Sequence, residues 1–298
     1  MWNESVKPYV FLVLCVLFWS GNFILGRFIH EDIEPVQLAM YRWLGVLILL
    51  LPYLMRQRRA VWGALKGHFW MLLLLSFLGV TSFNTVLYVG LQDTTATNAL
   101  LINSATPITI VLLSVLILKS KVRPLQVAGI LFSMVGVVHL ALHGEWERLA
   151  TLSFGKGDIW VIVASSMWAL YSVLLRFRPA GFSGYFATSV LLGSLMLYGV
   201  FWQMGYGLLD VFSFSLNAKL VIAYTVVFPS FLSYHFWHYG IANIGPEKSG
   251  QFVHLMPVFG SILAFFFLGE RFYMYHLGGV ALIGVGIYLS LFLGKAKA

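Results

Sequence analysis

Few side chains in this sequence could do chemistry, and the foremost is Arg42, set in the apolar stretch LAMYRWLG. It stands seven residues past Pro35, so at about 1.5 Å of rise per residue it lies roughly 10 Å along a helix that begins there. A guanidinium is a planar fork of donors that matches a carboxylate or phosphate through two parallel hydrogen bonds. Arg42 can therefore hold the anionic group of a ligand. It can equally snorkel outward to water, or pair with Glu31, Asp32 or Glu34. Asn22, Asn84, Tyr88 and Asn103 could add hydrogen bonds to the same place, with Trp19 and Trp168 as aromatic walls. Each alone could instead make an interhelical hydrogen bond, worth about 0.6 kcal/mol in a membrane. Tyr171, His238, Gln251 and His254 form a second candidate set, in the other half of the chain.

Other chemistry finds no support. There is no Gly-x-Ser-x-Gly elbow and no clustered set of histidines and acids, so no catalytic residue is expected. His30-Glu31 is followed by Glu34 rather than a second histidine, which excludes the zinc-protease motif. His235 and His238 share roughly one helix face but lack a third ligand, and Cys15 stands alone, so no metal and no cofactor is expected. Gly155-Lys156-Gly157-Asp158 lacks the spacing of a phosphate loop. Every acid, including Asp93, Asp158, Glu247 and Glu270, falls at the end of an apolar run or in a loop. Proton relays place carboxylates deeper, which leaves a proton route only through His235, His238, His254 or the edge acids.

The elements that must position these residues follow from composition. Hydrophobic residues make up 60% of the 298 and charged residues 10%, against about 25% charged in soluble proteins. So little polar surface requires lipid around the chain. Runs of roughly 20 apolar residues span a bilayer, and ten are present: 7–29, 35–55, 69–90, 96–118, 124–142, 158–176, 183–205, 219–240, 247–268 and 272–293. The first is too long for a signal peptide and has no small-x-small cleavage site before Arg27. With the N-terminus inside, thirteen Lys and Arg fall inside and six outside, which predicts both termini cytoplasmic. The net charge of +8 is then that of the inner loops, and nucleic-acid binding is not expected.

A shift of 149 to 150 residues brings the halves into register: Trp19 on Trp168, Arg27 on Arg176, Gly90 on Gly240, Pro107 on Pro257, Gly129 on Gly279 and Gly136 on Gly286. Each half holds five runs, an odd number, so the second must enter the membrane with opposite polarity. The expected fold is an all-α integral membrane protein of ten transmembrane helices in two inverted five-helix repeats, residues 1–148 and 149–298. Such repeats in secondary transporters place a site between the halves, opened to each side in turn. A duplication could also have supplied only a stable bundle. Pro107 and Pro257 interrupt hydrogen bonding inside their helices and are the candidate kink and gating positions. The glycine spacings clear one face of the fifth and tenth helices, either for packing within the bundle or for a dimer surface.

The run YVGLQDTTATNALLINSATPITIVLLSVLILKSKVRPLQVAGILFSMVGVV at 88–138 and its partner HYGIANIGPEKSGQFVHLMPVFGSILAFFFLGERFYMYHLGGVALIGVGIYL at 238–289 resemble the two EamA repeats of the drug/metabolite transporter superfamily. The resemblance covers essentially the whole chain. It departs where Gly269 and Glu270 of the second repeat meet Lys119 and Ser120 of the first. It implies a ten-helix carrier, in many members an exporter of amino acids or other small metabolites. The expectation is thus a secondary exporter in the inner cell membrane, in contact with lipid and a small-molecule substrate, as a monomer or homodimer. The rivals are an intramembrane enzyme acting on lipid, and a channel.

Overall fold

The computed structural model describes residues 6–147, 154–268 and 273–293. All regular structure among them is helical, because in lipid each backbone N–H and C=O must be satisfied within its own segment. The spans run α1 (Lys7–Phe28), α2 (Pro35–Arg56), α3 (Arg58–Asp93), α4 in two pieces (Ala96–Asn103 and Thr106–Leu118), α5 (Pro124–Ala141), α6 (Lys156–Leu174), α7 (Tyr185–Gln203) and α8 (Leu216–Ile244). They continue with α9 in pieces (Pro246–Gly250, a 3-10 segment Gln251–Leu255, Met256–Leu268) and end with α10 (Met274–Tyr288). Nine helices among the described residues are long and apolar enough to cross a membrane. The expected ninth run is absent from that count, divided into pieces each too short to cross alone. The boundary at 148/149, both chain ends and the Gly269-Glu270 pair lie outside the described residues.

Two boundaries differ from expectation. α3 begins at Arg58 rather than at residue 69, with a kink at His68 (φ −137°, ψ 30°). Arg58, Arg59 and Lys66 end the apolar count but not the helix, since long basic side chains extend to water from an interfacial turn. Trp62 and Trp70 there are exposed, as in an aromatic belt. The second difference is the form of the proline breaks. Pro107 and Pro257 each stand second in a new helical piece, and the preceding helix ends before them. A proline has no N–H to continue the ladder and crowds the preceding turn.

α3 and α8 each carry a π turn, at Phe77–Ser82 and Val226–Leu232. These positions correspond under the 149 to 150 residue offset. In α8 the cause is Pro229, whose missing N–H frees the Thr225 carbonyl, and Ser230 Oγ donates to that carbonyl at 2.5 Å. A π turn slips the ladder by one residue and turns a carbonyl out of it. Within these turns the carbonyls of Gly79 and Pro229, 150 residues apart, accept side-chain donors from other helices.

The halves interlock. The end of α3 packs on α6, where a Cβ at Gly90 would come within 2.8 Å of Val161 and 2.9 Å of the Gly157 carbonyl. The end of α8 packs on α1, where a Cβ at Gly240 would meet Leu12 at 2.6 Å. Leu12 and Val161 are repeat mates, so each third helix lies against the first helix of the other half. α5 crosses α10 antiparallel: a Cβ at Gly129 would meet the Gly286 carbonyl at 2.5 Å, and one at Gly136 the Gly279 carbonyl at 2.9 Å. These glycines serve packing within the bundle.

Candidate functional site

α2 carries Arg42 into the seam between α1, α3 and α8, where 1% of it is exposed. Nη1 donates to Asn22 Oδ1 of α1 at 3.0 Å and to the Tyr88 hydroxyl of α3 at 2.8 Å. Nε donates to Ser230 Oγ, and Nη2 to the Pro229 carbonyl at 3.2 Å, both in the π turn of α8. The Tyr88 hydroxyl donates in turn to Asn22 Oδ1 at 2.8 Å. Trp19 Nε1 reaches the same Pro229 carbonyl at 3.0 Å. Four of the five guanidinium N–H groups thus meet neutral acceptors. Among the described residues no acidic side chain lies within 4.0 Å of Arg42. Arg42 neither snorkels nor pairs with Glu31, Asp32 or Glu34, which corrects both structural alternatives.

Beneath this group lies an aromatic centre. Trp19 meets its own repeat mate Trp168 edge-on at 4.9 Å, and Phe83, Tyr234 and Trp237 surround Trp168 at 4.8 to 5.7 Å. Asn84 Nδ2 donates to the hydroxyl of its repeat mate Tyr234 at 3.3 Å. Contacts between mates mark where the pseudo-twofold relation passes through the bundle. Three buried polar atoms here have no hydrogen-bond partner: Trp43 Nε1, Trp168 Nε1 and Asn84 Oδ1. Buried polar atoms are rarely left so, and two bare donors beside one bare acceptor are groups a polar ligand can engage.

Tyr171 and His238 form a second cluster, with the Tyr171 hydroxyl 2.6 Å from His238 Nε2. They are the mates of Asn22 and Tyr88. Tyr234 donates its hydroxyl to the Gly79 carbonyl, the π-turn group of the first half. His235, expected to share a face with His238, is exposed, while His238 is buried. No group of three or more metal-ligating side chains occurs among the described residues.

The remaining candidates lie apart from Arg42. Asn103 bonds Met256 Sδ at 3.0 Å and Ser165 Oγ at 3.0 Å. Ser165 and Thr106 line a cavity of about 320 Å³ between α4, α5 and α6 that also touches Asp158. Asp158, buried at the start of α6, accepts from Thr94 Oγ1 and from the Gly155 amide. His254 Nδ1 lies 2.6 Å from Ser133 Oγ of α5, and Gln251 Nε2 bonds the Glu247 carbonyl at 3.2 Å. The expectation that Asn103 joins Arg42, and that Gln251 and His254 join Tyr171, is therefore corrected. The 3-10 segment sets His254 against Ser133 of α5 instead, while Gln251 bonds within α9. Sequence reasoning missed Ser230 and the Pro229 carbonyl. The available signal was Pro229 itself, a proline in mid-span.

Two stretches of the chain, residues 6–142 and 155–292, match the model of the EamA-like transporter family. A protein of Archaeoglobus fulgidus named an uncharacterized transporter is 28% identical over 95% of this chain and 97% of its own length. The uncharacterized transporter YyaM of Bacillus subtilis is 28% identical over 95% and 93%. A chloroplastic WAT1-related protein of Arabidopsis thaliana is 23% identical over 98% and 69%. A crystal structure of a protein superposes with a TM-score of 0.76 at 18% identity, covering 98% of both chains, a likeness of fold.

Proposed function

The chain belongs to the EamA-like transporter family of the drug/metabolite transporter superfamily, and from that premise we propose that this multi-pass membrane transporter exports a small organic metabolite whose acidic group binds Arg42. An amino acid is a fitting example. The rival of an intramembrane enzyme falls with family membership.

The observation that supports the reading is a buried cation whose partners are all neutral. A charge in a span costs on the order of 2 to 3 kcal/mol by insertion scales, and a resident carboxylate would offset that cost. It would also compete with any anionic ligand. Asn22, Tyr88, Ser230 and the Pro229 carbonyl hold the guanidinium with neutral acceptors and, among the described residues, leave one N–H on Nη2 free, so an entering carboxylate would displace a neutral acceptor to take a bidentate hold. The second repeat has leucines, 191 and 192, at the corresponding place, so the bundle does not require an arginine there.

The site is closed in this structure, with Asn22, Arg42 and Tyr88 all buried. Alternating access would open it by moving the α3–α6 and α8–α1 pairs against each other, about the breaks at Pro107 and Pro257. The face from which α1 starts would be the cytoplasmic one, in the inner membrane. An impermeant thiol reagent should then fail to label cysteines placed at positions 2 and 298 in intact cells.

Counterflow in proteoliposomes tests the site and the channel rival together. A carrier shows saturable exchange, and a channel does not. A panel of radiolabelled acids and their neutral amides should show exchange of acids alone. Exchange of the amides at equal rates would remove Arg42 from recognition.

A further inference from the structure

The connection from α6 to α7 folds around a cavity of about 560 Å³ on the membrane face from which α1 starts. Arg176, Arg178, Ser183, Tyr185 and Ala242 are among its lining residues. The Arg178 guanidinium carbon lies 5.3 Å from the Tyr185 ring centre, and Nη1 donates to the Leu175 carbonyl at 3.3 Å. Among the described residues no acidic side chain lies within 4.0 Å of Arg178. Tyr185 is also the first residue of α7, so the positive end of that helix dipole adds to the two arginines at the cavity wall.

Basic residues in a short loop are by themselves only the pattern that fixes membrane orientation. What lies behind the cavity goes further. The Tyr185 ring is 5.0 Å from His238, and His238 is bonded to Tyr171. That pair consists of the repeat mates of Tyr88 and Asn22, the pair that holds Arg42. From His238 the rings of Tyr234 and Trp43 follow at 5.8 and 5.1 Å, and Arg42 is the residue before Trp43. A cation backed by a polar pair therefore stands at each end of one aromatic column.

We propose that the Arg178 cavity is a second oxyanion-binding site, which receives the carboxylate or phosphate of a small solute on its way to Arg42. The oxyanion binding stands on the cavity itself; the destination rests on the reading of Arg42 given above. A cavity of this size falls in the range of small-molecule sites, and the Arg178 fork supplies bidentate recognition.

The test uses Ala242→Cys as a reporter in a Cys15→Ser background, read by the rate of maleimide labelling. In detergent micelles, saturating inorganic phosphate should slow labelling about tenfold, as a filled site shields its wall, while chloride at equal ionic strength should not. Arg178→Gln should abolish the protection and Arg178→Lys should retain part of it, with unchanged size-exclusion profiles. Arg42→Gln should leave the protection intact, so failure of the Arg42 reading and failure of this site give different results. No protection by phosphate in micelles or in anionic-lipid nanodiscs would overturn the site. Protection found only in nanodiscs containing phosphatidylglycerol would assign the oxyanion to a lipid headgroup and overturn its role for a solute.

Discussion

The π turns of α3 and α8 occupy equivalent places in the two halves, yet one receives a charge and the other a neutral hydroxyl. At Pro229 the exposed carbonyl takes Arg42 and Trp19; at Gly79 it takes Tyr234. The polar pairs beside them correspond as well, Asn22 with Tyr88 on one side and Tyr171 with His238 on the other. Only the first pair touches a buried cation. The two repeats thus share a symmetric scaffold, and on the function proposed above recognition would reside where the halves differ: Arg42 against leucine, Pro229 against Gly79, Asn22 against Tyr171. A carrier must offer the same ligand to both faces, so some asymmetry of charge within a symmetric frame is what selects one substrate class.

Removing the charge is the strongest way to break this comparison. Arg42→Gln should lower counterflow of an acidic substrate by roughly a hundredfold, equivalent to about 2.7 kcal/mol, within the range for truncating one side of a buried charged contact. Arg42→Lys keeps the charge but loses the fork, and should cost about tenfold, or 1.4 kcal/mol. Both proteins should insert and elute as wild type does. Wild-type transport by both, or failure of the bundle to assemble, would make Arg42 a structural group.

A matched pair of tyrosine changes sharpens the contrast. Tyr88→Phe removes one acceptor from Arg42 and the donor to Asn22, so affinity for an acidic substrate should fall by around tenfold, beside a stability cost of about 1 to 3 kcal/mol. Tyr234→Phe instead leaves the Gly79 carbonyl without its donor and should cost about 1 to 2 kcal/mol of stability with affinity retained. Equal effects on both measurements would mean that the two halves do not divide the work.

Much of this scaffold was legible in one dimension, because run length sets span number and a constant offset reveals duplication. The α5–α10 glycines pack as their spacing suggests, and the offset that makes Trp19 and Trp168 mates joins two rings that touch in the bundle. Depth in the bilayer, however, is not proximity. Asn103 closes the first piece of α4, just before the break at Ser104 and Ala105, where it turns to Met256 and Ser165, and His254 lies in a 3-10 segment, off the face that an unbroken helix would give it. The slip of a π turn is likewise invisible to a 3.6-residue period, which is why Ser230 was overlooked. The gap in the notion of edge acids was smaller: Asp158 is buried, but it is held as the third residue of its helix by Gly155 and Thr94.

The smallest expected effect concerns protons, and it separates the neutral half from a proton-driven one. Asp158 sits at a helix end with both carboxylate oxygens occupied, whereas relays use carboxylates exposed to a pathway inside the membrane. Two of the buried histidines are tied to hydroxyls, His238 to Tyr171 and His254 to Ser133, while His276 is held by the Tyr273 backbone; they stand in separate seams rather than in one chain. Among the described residues no chain of hydrogen bonds joins them to Arg42. Counterflow should therefore change by less than about twofold when an ionophore collapses the proton gradient, since exchange is driven by the substrate's own gradient. His238→Gln and His254→Gln should be as insensitive to the ionophore as the parent. Loss of exchange on collapse, restored by an imposed gradient and absent in one of these variants, would identify that histidine as a proton carrier and give the second half a chemical role of its own.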